Sequence, residues 1–206
     1  MKNINICMLE PIAYKEAIAL QEHEKQRVIA GTSQGSIFFL EHNPPVITLG
    51  KHCSGSDILI SEELLNERGY FIEQSSRGGN VTVHETGQLV IYYVLPVKSK
   101  RTHEFVHAIT DGIVNVLNEH FKLKLFYSDT NPGIWHEDKK CASIGFDLRQ
   151  GVSMHGVAIN VCNSLKGFSY INPCGMPSSS MTTLSLITGR DVTITETVDL
   201  IAKLYV

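Results

Sequence analysis

One cysteine of this chain lies in a sequence typical of a tight, exposed turn. Cys174 stands between Pro173 and Gly175 in the run Asn-Pro-Cys-Gly-Met-Pro, whereas buried cysteines usually belong to strands and helices. The thiolate is the form of cysteine that attacks a carbonyl. A helix that began near Ser179 would direct its N-terminal dipole towards the turn and favour that form. These features predict a nucleophilic Cys174.

The other four cysteines show no sign of chemistry in the sequence. Cys141 and Cys162 lie within strand patterns and are expected to pack in the core, while Cys7 and Cys53 have no activating neighbours. The odd total of five, scattered without a C-x-x-C pair, argues against a disulfide framework and a zinc knuckle. A reducing, cytoplasmic setting is therefore expected.

A basic residue that could activate such a thiol precedes a run of small residues. Lys140 opens the sequence Lys-Cys-Ala-Ser-Ile-Gly, and a lysine at the start of a buried strand is partly desolvated. Desolvation disfavours the charged form, so such a lysine is a candidate base. Lys139 fits the more usual case of a lysine in a solvated turn.

Two further segments combine glycine with polar side chains. Residues 77–84 read Arg-Gly-Gly-Asn-Val-Thr-Val-His, where the glycines let backbone N–H groups approach a ligand and Arg77 could hold an anionic group. Residues 154–161 read Met-His-Gly-Val-Ala-Ile-Asn-Val, where His155 could orient a substrate carbonyl. Taken singly, such segments are more often a hairpin turn or a satisfied core histidine. The first also lacks the G-K-[ST] of a phosphate-binding loop.

Another pattern, H-E-x-x-H at residues 103–107, matches the two-histidine zinc site of metalloproteases. Helical geometry counts against a zinc hydrolase, because at about 100° per residue His103 and His107 fall beside or opposite the apolar stripe. Thr110 and Ile113 also occupy the places of the glycine and third histidine of the extended zinc signature. The sequence therefore predicts two solvated histidines and no metal.

Hydrophobic periodicity outlines the elements that must position these residues. Apolar residues at i, i+3, i+4 and i+7 predict helices over residues 13–28 and 102–121, and capping residues predict two more, after Ser61 and from Thr193 to about Leu204. Strands are expected at residues 36–40, 46–49, 70–73, 88–95, 133–136, 141–148 and 156–161. This order predicts an α+β fold, with mixed β-sheets flanked by helices, over a regular β-α-β alternation.

Composition bounds the class of protein. The 206 residues, 43% of them hydrophobic, suffice for one core, so a single domain over residues 1–206 is expected. The formal net charge of -3 offers no positive excess that would favour nucleic acid or an anionic membrane. The N-terminal segment lacks the apolar region of a secretory signal, and no apolar run approaches membrane-spanning length. Neither nucleic acid nor membrane is an expected partner.

Four segments, taken in order, resemble those of the lipoyl (octanoyl) transferase family, the cysteine/lysine members of the biotin and lipoate protein ligase fold. They are Arg-Gly-Gly-x-x-Thr-x-His-x-x-Gly-Gln from residue 77, Lys-x-x-Ser-Ile-Gly from residue 140, His-Gly-x-Ala-x-Asn-Val from residue 155 and Asn-Pro-Cys-Gly from residue 172. The resemblance implies a biotin/lipoate protein ligase-like catalytic domain. It also implies that Cys174 carries the acyl group as a thioester and that Lys140 is the base that takes its proton.

The same resemblance implies the substrates. An octanoyl group would arrive on acyl carrier protein and leave on the lysine of a lipoyl domain, in a 2-oxoacid dehydrogenase or in the H-type protein of glycine cleavage. No cofactor and no metal are implied. The matched segments imply that the substrate is bound by Arg77, Gly78, Gly79, Asn80, Val81, Thr82, Val83, His84, Ser143, Ile144, Gly145, His155, Gly156, Val157 and Ala158.

One departure from the family pattern concerns Glu85 and Thr86, which stand where the family has Gly-Pro. A carboxylate beside the presumed pocket could alter the loop or the acyl-chain preference. Two alternative functions remain open at this point. An ATP-dependent lipoate or biotin protein ligase shares the fold but needs no cysteine, and a non-catalytic module would only dock acyl carrier protein or a lipoyl domain.

Overall fold

The computed structural model describes residues 4–97, 102–173 and 178–206. Within these ranges two mixed sheets are flanked by helices, so the predicted α+β class is confirmed. Of the helices in these ranges, none has the length and apolar character needed to cross a bilayer. The helices are α1 (Tyr14–Ile29), α2 (Glu62–Glu67), α3 (Thr102–Phe121), α4 (Leu184–Thr188) and α5 (Ile194–Ala202). The strands are β1 (Asn5–Met8), β2 (Ser36–Leu40), β3 (Val46–Leu49), β4 (Phe71–Gln74), β5 (Val81–His84), β6 (Gln88–Val94), β7 (Leu125–Ser128), β8 (Gly133–His136), β9 (Lys139–Arg149) and β10 (Val152–Asn160).

The larger sheet has the strand order β1-β2-β6-β10-β9-β8-β7. Strands β1 and β2 are parallel, and the other neighbours are antiparallel. Alternate side chains of a strand point to opposite faces. In β6, Leu89 and Ile91 therefore enter the core beneath α3 and α5, while Val90 and Tyr92 face α1. Because both faces are covered, this strand reads as an unbroken apolar run.

The smaller sheet, β4-β3-β5, has its own core beside α2 and the short 3₁₀ helix Lys166–Tyr170. Gln88 joins it to the larger sheet, because its side-chain Nε2 donates to the Val83 carbonyl at 3.0 Å and to Asn160 Oδ1 at 2.9 Å. The two sheets thus share a buried amide where β5 passes into β6.

The capping residues and strand ends show how local sequence sets the element boundaries. Ser61 Oγ accepts from the Leu64 N–H at 3.3 Å and Thr193 Oγ1 from the Glu196 N–H at 3.1 Å, as N-cap side chains do. Strands β9 and β10 are longer than predicted. They pair as a hairpin whose turn, residues 150–151, has two positive φ angles of 56° and 75°. The sequence pattern predicted shorter strands because the residues at their ends are polar.

The chain after residue 177 differs from the prediction of a helix that begins near Ser179. Ser178–Ser180 forms a single 3₁₀ turn, and Met181 makes a strand-like bridge to β9. Helix α4 begins only at Leu184, where Thr183 Oγ1 caps it. The predicted helix start is therefore wrong, because pairing with β9 takes precedence over the local helical preference.

Candidate active site

A cavity of about 320 Å³ lies between residues 77–84 and the β6, β9 and β10 strands of the larger sheet. Its volume is near the lower end of the roughly 300–1,000 Å³ found for small-molecule sites. Its lining is mostly apolar with a few polar groups, which is the usual composition of such sites. The apolar walls include Val90, Tyr92, Val106, Ile144, Phe146, Leu148, Val157, Ala158 and Met181.

The structure brings together nearly all of the predicted site residues that it describes. Lys140 lines the cavity with Arg77, Gly78, Gly79, Asn80, Val81, Thr82, His84, Ser143, Ile144, Gly145, His155, Gly156, Val157 and Ala158. Val83 does not line it, because its side chain packs into the core of the smaller sheet. Cys174 lies outside the described residues, as do residues 175–177, while Pro173 lines the cavity.

Sequence reasoning missed several residues of the cavity lining. Phe146 and Leu148 follow Ile144 at intervals of two on β9, so continuing the strand alternation past Gly145 would have found them. Other residues come from distant elements and gave no local signal. The missed residues are Tyr14, Val90, Tyr92, Thr102, Val106, Tyr127, Pro132, Phe146, Leu148, Pro173 and Met181.

The Arg77 side chain is buried and holds the loop of residues 77–80 in place. Its Nη2 donates to the Thr48 carbonyl at 2.6 Å and to Thr48 Oγ1 at 2.9 Å, and its Nη1 donates to the Gly78 carbonyl at 3.0 Å. The Gly78 N–H in turn donates to the Phe146 carbonyl on β9 at 3.1 Å. A Cβ at Gly145 would lie only 3.2 Å from Arg77 Cδ. Glycine there allows the loop to rest against β9.

Lys140 is 2% exposed and reaches the cavity from the second position of β9. Its Nζ lies 5.6 Å from the ring centroid of Trp135, the residue opposite on β8. A Cβ at Gly133 would lie 3.1 Å from Lys140 Nζ, closer still to Cε, and 2.7 Å from the Ala142 carbonyl. Glycine at position 133 therefore leaves the space that the lysine side chain occupies. The Lys139 side chain is 43% exposed, but Lys139 is the first residue of β9 and not a turn residue, and its Nζ donates to the Ser179 carbonyl at 2.8 Å.

A buried polar chain runs from the smaller sheet to Lys140. His84 Nδ1 lies 2.8 Å from Gln88 Oε1, and Gln88 Nε2 donates to Asn160 Oδ1. Asn160 Nδ2 donates to the Thr182 carbonyl at 3.1 Å, and the Thr182 N–H donates to the Lys140 carbonyl at 3.0 Å. Buried polar groups that are paired in this way hold one arrangement of their neighbours. This series of hydrogen bonds fixes β9 beside the segment that follows residue 177.

Three buried histidines surround the cavity region and are neutral near pH 7. Burial lowers the pKa of His42 to about 4, and burial together with the nearby Arg77 charge lowers that of His155 to about 4. Burial and the neighbouring His42 hold the pKa of His84 well below its usual range. His155 Nε2 lies 2.9 Å from Ser76 Oγ. These side chains can exchange hydrogen bonds but carry no charge for catalysis.

The four described cysteines are poor nucleophiles. Burial raises the pKa of Cys141 to about 12, and a partial loss of solvent is the largest cause of the raised pKa of Cys7, Cys53 and Cys162. Cys162 is exposed, so the prediction that it packs in the core is wrong. Strand β10 ends at Asn160, and Cys162 lies just beyond it. All four thiols stay protonated near pH 7, and a thiol attacks a carbonyl far less readily than a thiolate.

The Glu85 carboxylate is turned away from the cavity lining. It accepts hydrogen bonds from the Tyr70 hydroxyl at 2.7 Å, the Asn163 Nδ2 at 3.1 Å and the Gly167 N–H at 3.3 Å. Glu85 is 4% exposed, and three donors compensate for the loss of water around a buried carboxylate. The departure from the family pattern therefore orders the loop after β5.

Comparisons with known proteins agree over almost the whole chain. The family described as the lipoyl protein ligase A/B catalytic domain matches residues 13–205. An octanoyltransferase of Nitratidesulfovibrio vulgaris is 37% identical over 205 residues, which cover 98% of this chain and 93% of that protein. An octanoyltransferase of Caldicellulosiruptor saccharolyticus is 32% identical over 205 residues, which cover 98% of this chain and 87% of that protein.

Solved structures confirm the predicted fold. The bi-partite lipoate protein ligase of Thermoplasma acidophilum superposes with a TM-score of 0.78 at 14% identity, covering 98% of this chain and 82% of that one. The biotin protein ligase of Leishmania major gives a TM-score of 0.59 at 12% identity, covering 98% of this chain and 73% of that one. At such identities the likeness shows the fold alone.

Proposed function

Because the chain belongs to the lipoyl protein ligase A/B catalytic domain family, we propose that it transfers an octanoyl group to the lysine of a lipoyl domain, a step of protein lipoylation. The observation that carries this proposal is the cavity, whose lining combines apolar walls with the buried Lys140 and with Pro173, the residue directly before Cys174. Burial of each methylene of an acyl chain contributes about 0.8 kcal/mol, so apolar walls suit a medium-chain acyl group.

Cys174 is the proposed nucleophile. The other four cysteines have raised pKa values, and Cys174 alone stands in the Pro-Cys-Gly sequence. Its thiolate attacks the octanoyl carbonyl on acyl carrier protein, a new C–S bond forms, and the carrier leaves as a thiol. The acceptor amine then attacks the enzyme thioester, an amide forms, and the cysteine sulfur is released. Thioester exchange is nearly balanced and amide formation is downhill, so neither step requires ATP.

Lys140 is the proposed base that takes the Cys174 proton and returns it. Its burial in the wall of the cavity that Pro173 also lines supports this role, since a base must lie within reach of the group that it deprotonates. A positioned base contributes typically ~10²–10⁴ in rate. The Thr82 hydroxyl supports an acyl ligand as well. Among the described residues that line the cavity, its Oγ1 is buried without a hydrogen-bond partner, and a substrate carbonyl could accept from it.

The remaining predicted substrate-binding residues except Val83, on residues 77–80 and on β5, β9 and β10, line the cavity that would hold the acyl chain. The proposed donor is octanoyl-acyl carrier protein. The proposed acceptors are lipoyl domains of 2-oxoacid dehydrogenases or the H-type protein of glycine cleavage. We also propose that residues 1–206 act as one catalytic domain.

The test is intact-mass spectrometry after incubation with octanoyl-acyl carrier protein in the absence of ATP. An octanoyl adduct that hydroxylamine removes and that maps to Cys174 is expected. No adduct, or an adduct on another cysteine, would overturn the proposed mechanism. If transfer to a lipoyl domain occurs only from free octanoate with ATP, the chain is instead a ligase.

The role of Lys140 is tested with its neighbour as a matched control. Single-turnover acylation should slow by ~10²–10⁴ in Lys140→Ala, the range expected for loss of a base, and stay near the wild-type rate in Lys139→Ala. Circular dichroism and thermal unfolding establish that both variants fold. Equal acylation rates in the two variants would remove Lys140 from the mechanism.

A further inference from the structure

The two histidines of the H-E-x-x-H pattern meet a third side chain away from the cavity lining. His103 and His107 lie one turn apart on α3, with Nε2 atoms 3.1 Å apart. Asp129, in the turn between β7 and β8, places its Oδ1 3.0 Å from His107 Nε2 and 3.2 Å from His103 Nε2. The helix periodicity could not reveal this carboxylate, because it comes from another element.

Hydrogen bonds account for two of the three contacts in this triangle of atoms. Each imidazole Nε2 carries at most one hydrogen, directed along the ring plane, and a carboxylate oxygen carries none when ionised. The three close contacts between His103, His107 and Asp129 therefore share at most two hydrogens. If both rings carry one at Nε2, each can donate to Asp129 Oδ1, and the two nitrogens of the stacked rings, whose centroids are 4.1 Å apart, then face each other 3.1 Å apart with no bond between them. One cation near the centre would instead attract all three atoms.

We propose that His103, His107 and Asp129 bind a divalent metal ion of the zinc type. Metal–ligand bonds of about 2.0–2.1 Å place neighbouring ligand atoms about 3.3 Å apart in a tetrahedral site and about 3.0 Å apart in an octahedral one. The three observed separations of 3.0, 3.1 and 3.2 Å lie between these values. Imidazole nitrogen with carboxylate oxygen suits zinc and its neighbours in the first transition row.

The surroundings of the three ligands support a built site. The Tyr127 ring packs edge-on against His107 with centroids 4.9 Å apart. Such outer contacts orient metal ligands. Side-chain exposures of 76% for His103, 29% for His107 and 55% for Asp129 leave the site open to an ion from solvent.

Binding at this site would tie α3 to the β7–β8 turn. Both elements contribute to the cavity wall, α3 through Thr102 and Val106 and the β7–β8 hairpin through Tyr127 and Pro132. The bound ion therefore holds two parts of that wall together from the outside. The role is structural, separate from the chemistry proposed for Lys140, and does not depend on the proposed acyl transfer.

Equilibrium dialysis of the metal-free full chain against Zn²⁺ tests the proposal. Wild type and His120→Gln should bind one equivalent through this site. His107→Gln and Asp129→Asn should bind that equivalent at least ~10–100-fold more weakly. His120 is a matched control, because it lies on the same helix and, among the described residues, its Nε2 contacts one carboxylate, that of Glu196, at 3.0 Å. All four proteins contain the same cysteines, so any Zn²⁺ bound by thiols is the same in each and does not affect the comparison between them.

Thermal unfolding supplies a second readout. At free Zn²⁺ about 100 times the dissociation constant, the Tm of wild type should rise by roughly 5–10 °C, and the His107→Gln and Asp129→Asn variants should lose most of this rise. Equal Zn²⁺ binding by all four proteins, or no binding by wild type at micromolar Zn²⁺, would overturn the proposal.

Discussion

Replacing Gly133 by alanine tests whether the position of the Lys140 side chain sets the rate of acyl transfer. The added Cβ would lie 3.1 Å from Lys140 Nζ and 2.7 Å from the Ala142 carbonyl. The φ angle of Gly133 is not in the left-handed region, so alanine can adopt the backbone conformation. The conflict is therefore steric. The lysine end can move, whereas the β9 backbone is held by pairing on both sides.

The magnitudes follow from these contacts. Overpacking of a filled interior costs typically ~1–3 kcal/mol, which for a chain of this length lowers the Tm by roughly 2–12 °C. A displacement of about 1 Å in a catalytic group costs on the order of 10² in rate. Gly133→Ala should therefore fold, melt a few degrees lower and acylate about 10²-fold more slowly.

The assay is single-turnover acylation followed by intact mass, at a temperature where every variant is folded. Gly112→Ala on α3 is the control, because its Cβ would lie an ordinary 3.4 Å from Leu204 Cδ1, and its rate should be unchanged. In the Lys140→Ala background, Gly133→Ala should slow acylation no further, since the group that it displaces is gone. A wild-type rate in Gly133→Ala, or a full additional loss in the double variant, would refute the reasoning.

Three further predictions concern acid stability, the loop after β5 and the exposed thiol. In the unfolded chain His42 and His155 become protonated below the ordinary histidine pKa of about 6.5. In the folded protein both are buried and stay neutral until about pH 4. The free energy of unfolding in urea should thus fall by about 1.4 kcal/mol per pH unit for each of them as the pH drops through that window, and a flat profile would contradict their neutral burial. Glu85→Gln should lower the free energy of unfolding by ~1–3 kcal/mol and leave the preference between octanoyl and decanoyl donors unchanged. A shifted preference would mean that Glu85 reaches the acyl chain. Cys162→Ser should acylate at the wild-type rate, and loss of the adduct would implicate that thiol.

Long, strongly patterned elements could be predicted from the sequence. The bounds of α3 agree because its apolar stripe repeats over five turns, and β2 and β3 agree because turn residues flank them on both sides. The predicted site segments meet in one cavity for a related reason. Where two segments pack closely, as Gly145 does against Arg77, the position requires glycine, and this glycine is visible in the sequence. A long-range apolar contact has no comparable sequence signal.

Other features depend on contacts between distant parts of the chain. Met181 pairs with β9 across some forty residues, so local preference gave a helix where the chain is extended. Val106 and His107 are adjacent on α3, yet Val106 lines the cavity and His107 contacts Asp129. These contacts depend on where β7 and β8 lie, which the helix sequence does not indicate. Cys162 follows a strand pattern and was predicted to pack in the core, but it is exposed because β10 stops two residues earlier.

The buried polar chain through Gln88 and Asn160 also bears on motion. Gln88 holds the Val83 carbonyl of the smaller sheet and the Asn160 side chain of the larger one, and Asn160 holds Thr182 beside Lys140. Separating the two sheets would break the hydrogen bonds of several buried groups at once, so partial opening between the sheets is disfavoured. We therefore expect the smaller sheet, the end of β10 and the segment after residue 177 to open together and not one at a time. We expect a substrate to enter by movement of side chains and loops at the cavity rim, with the two sheets staying together.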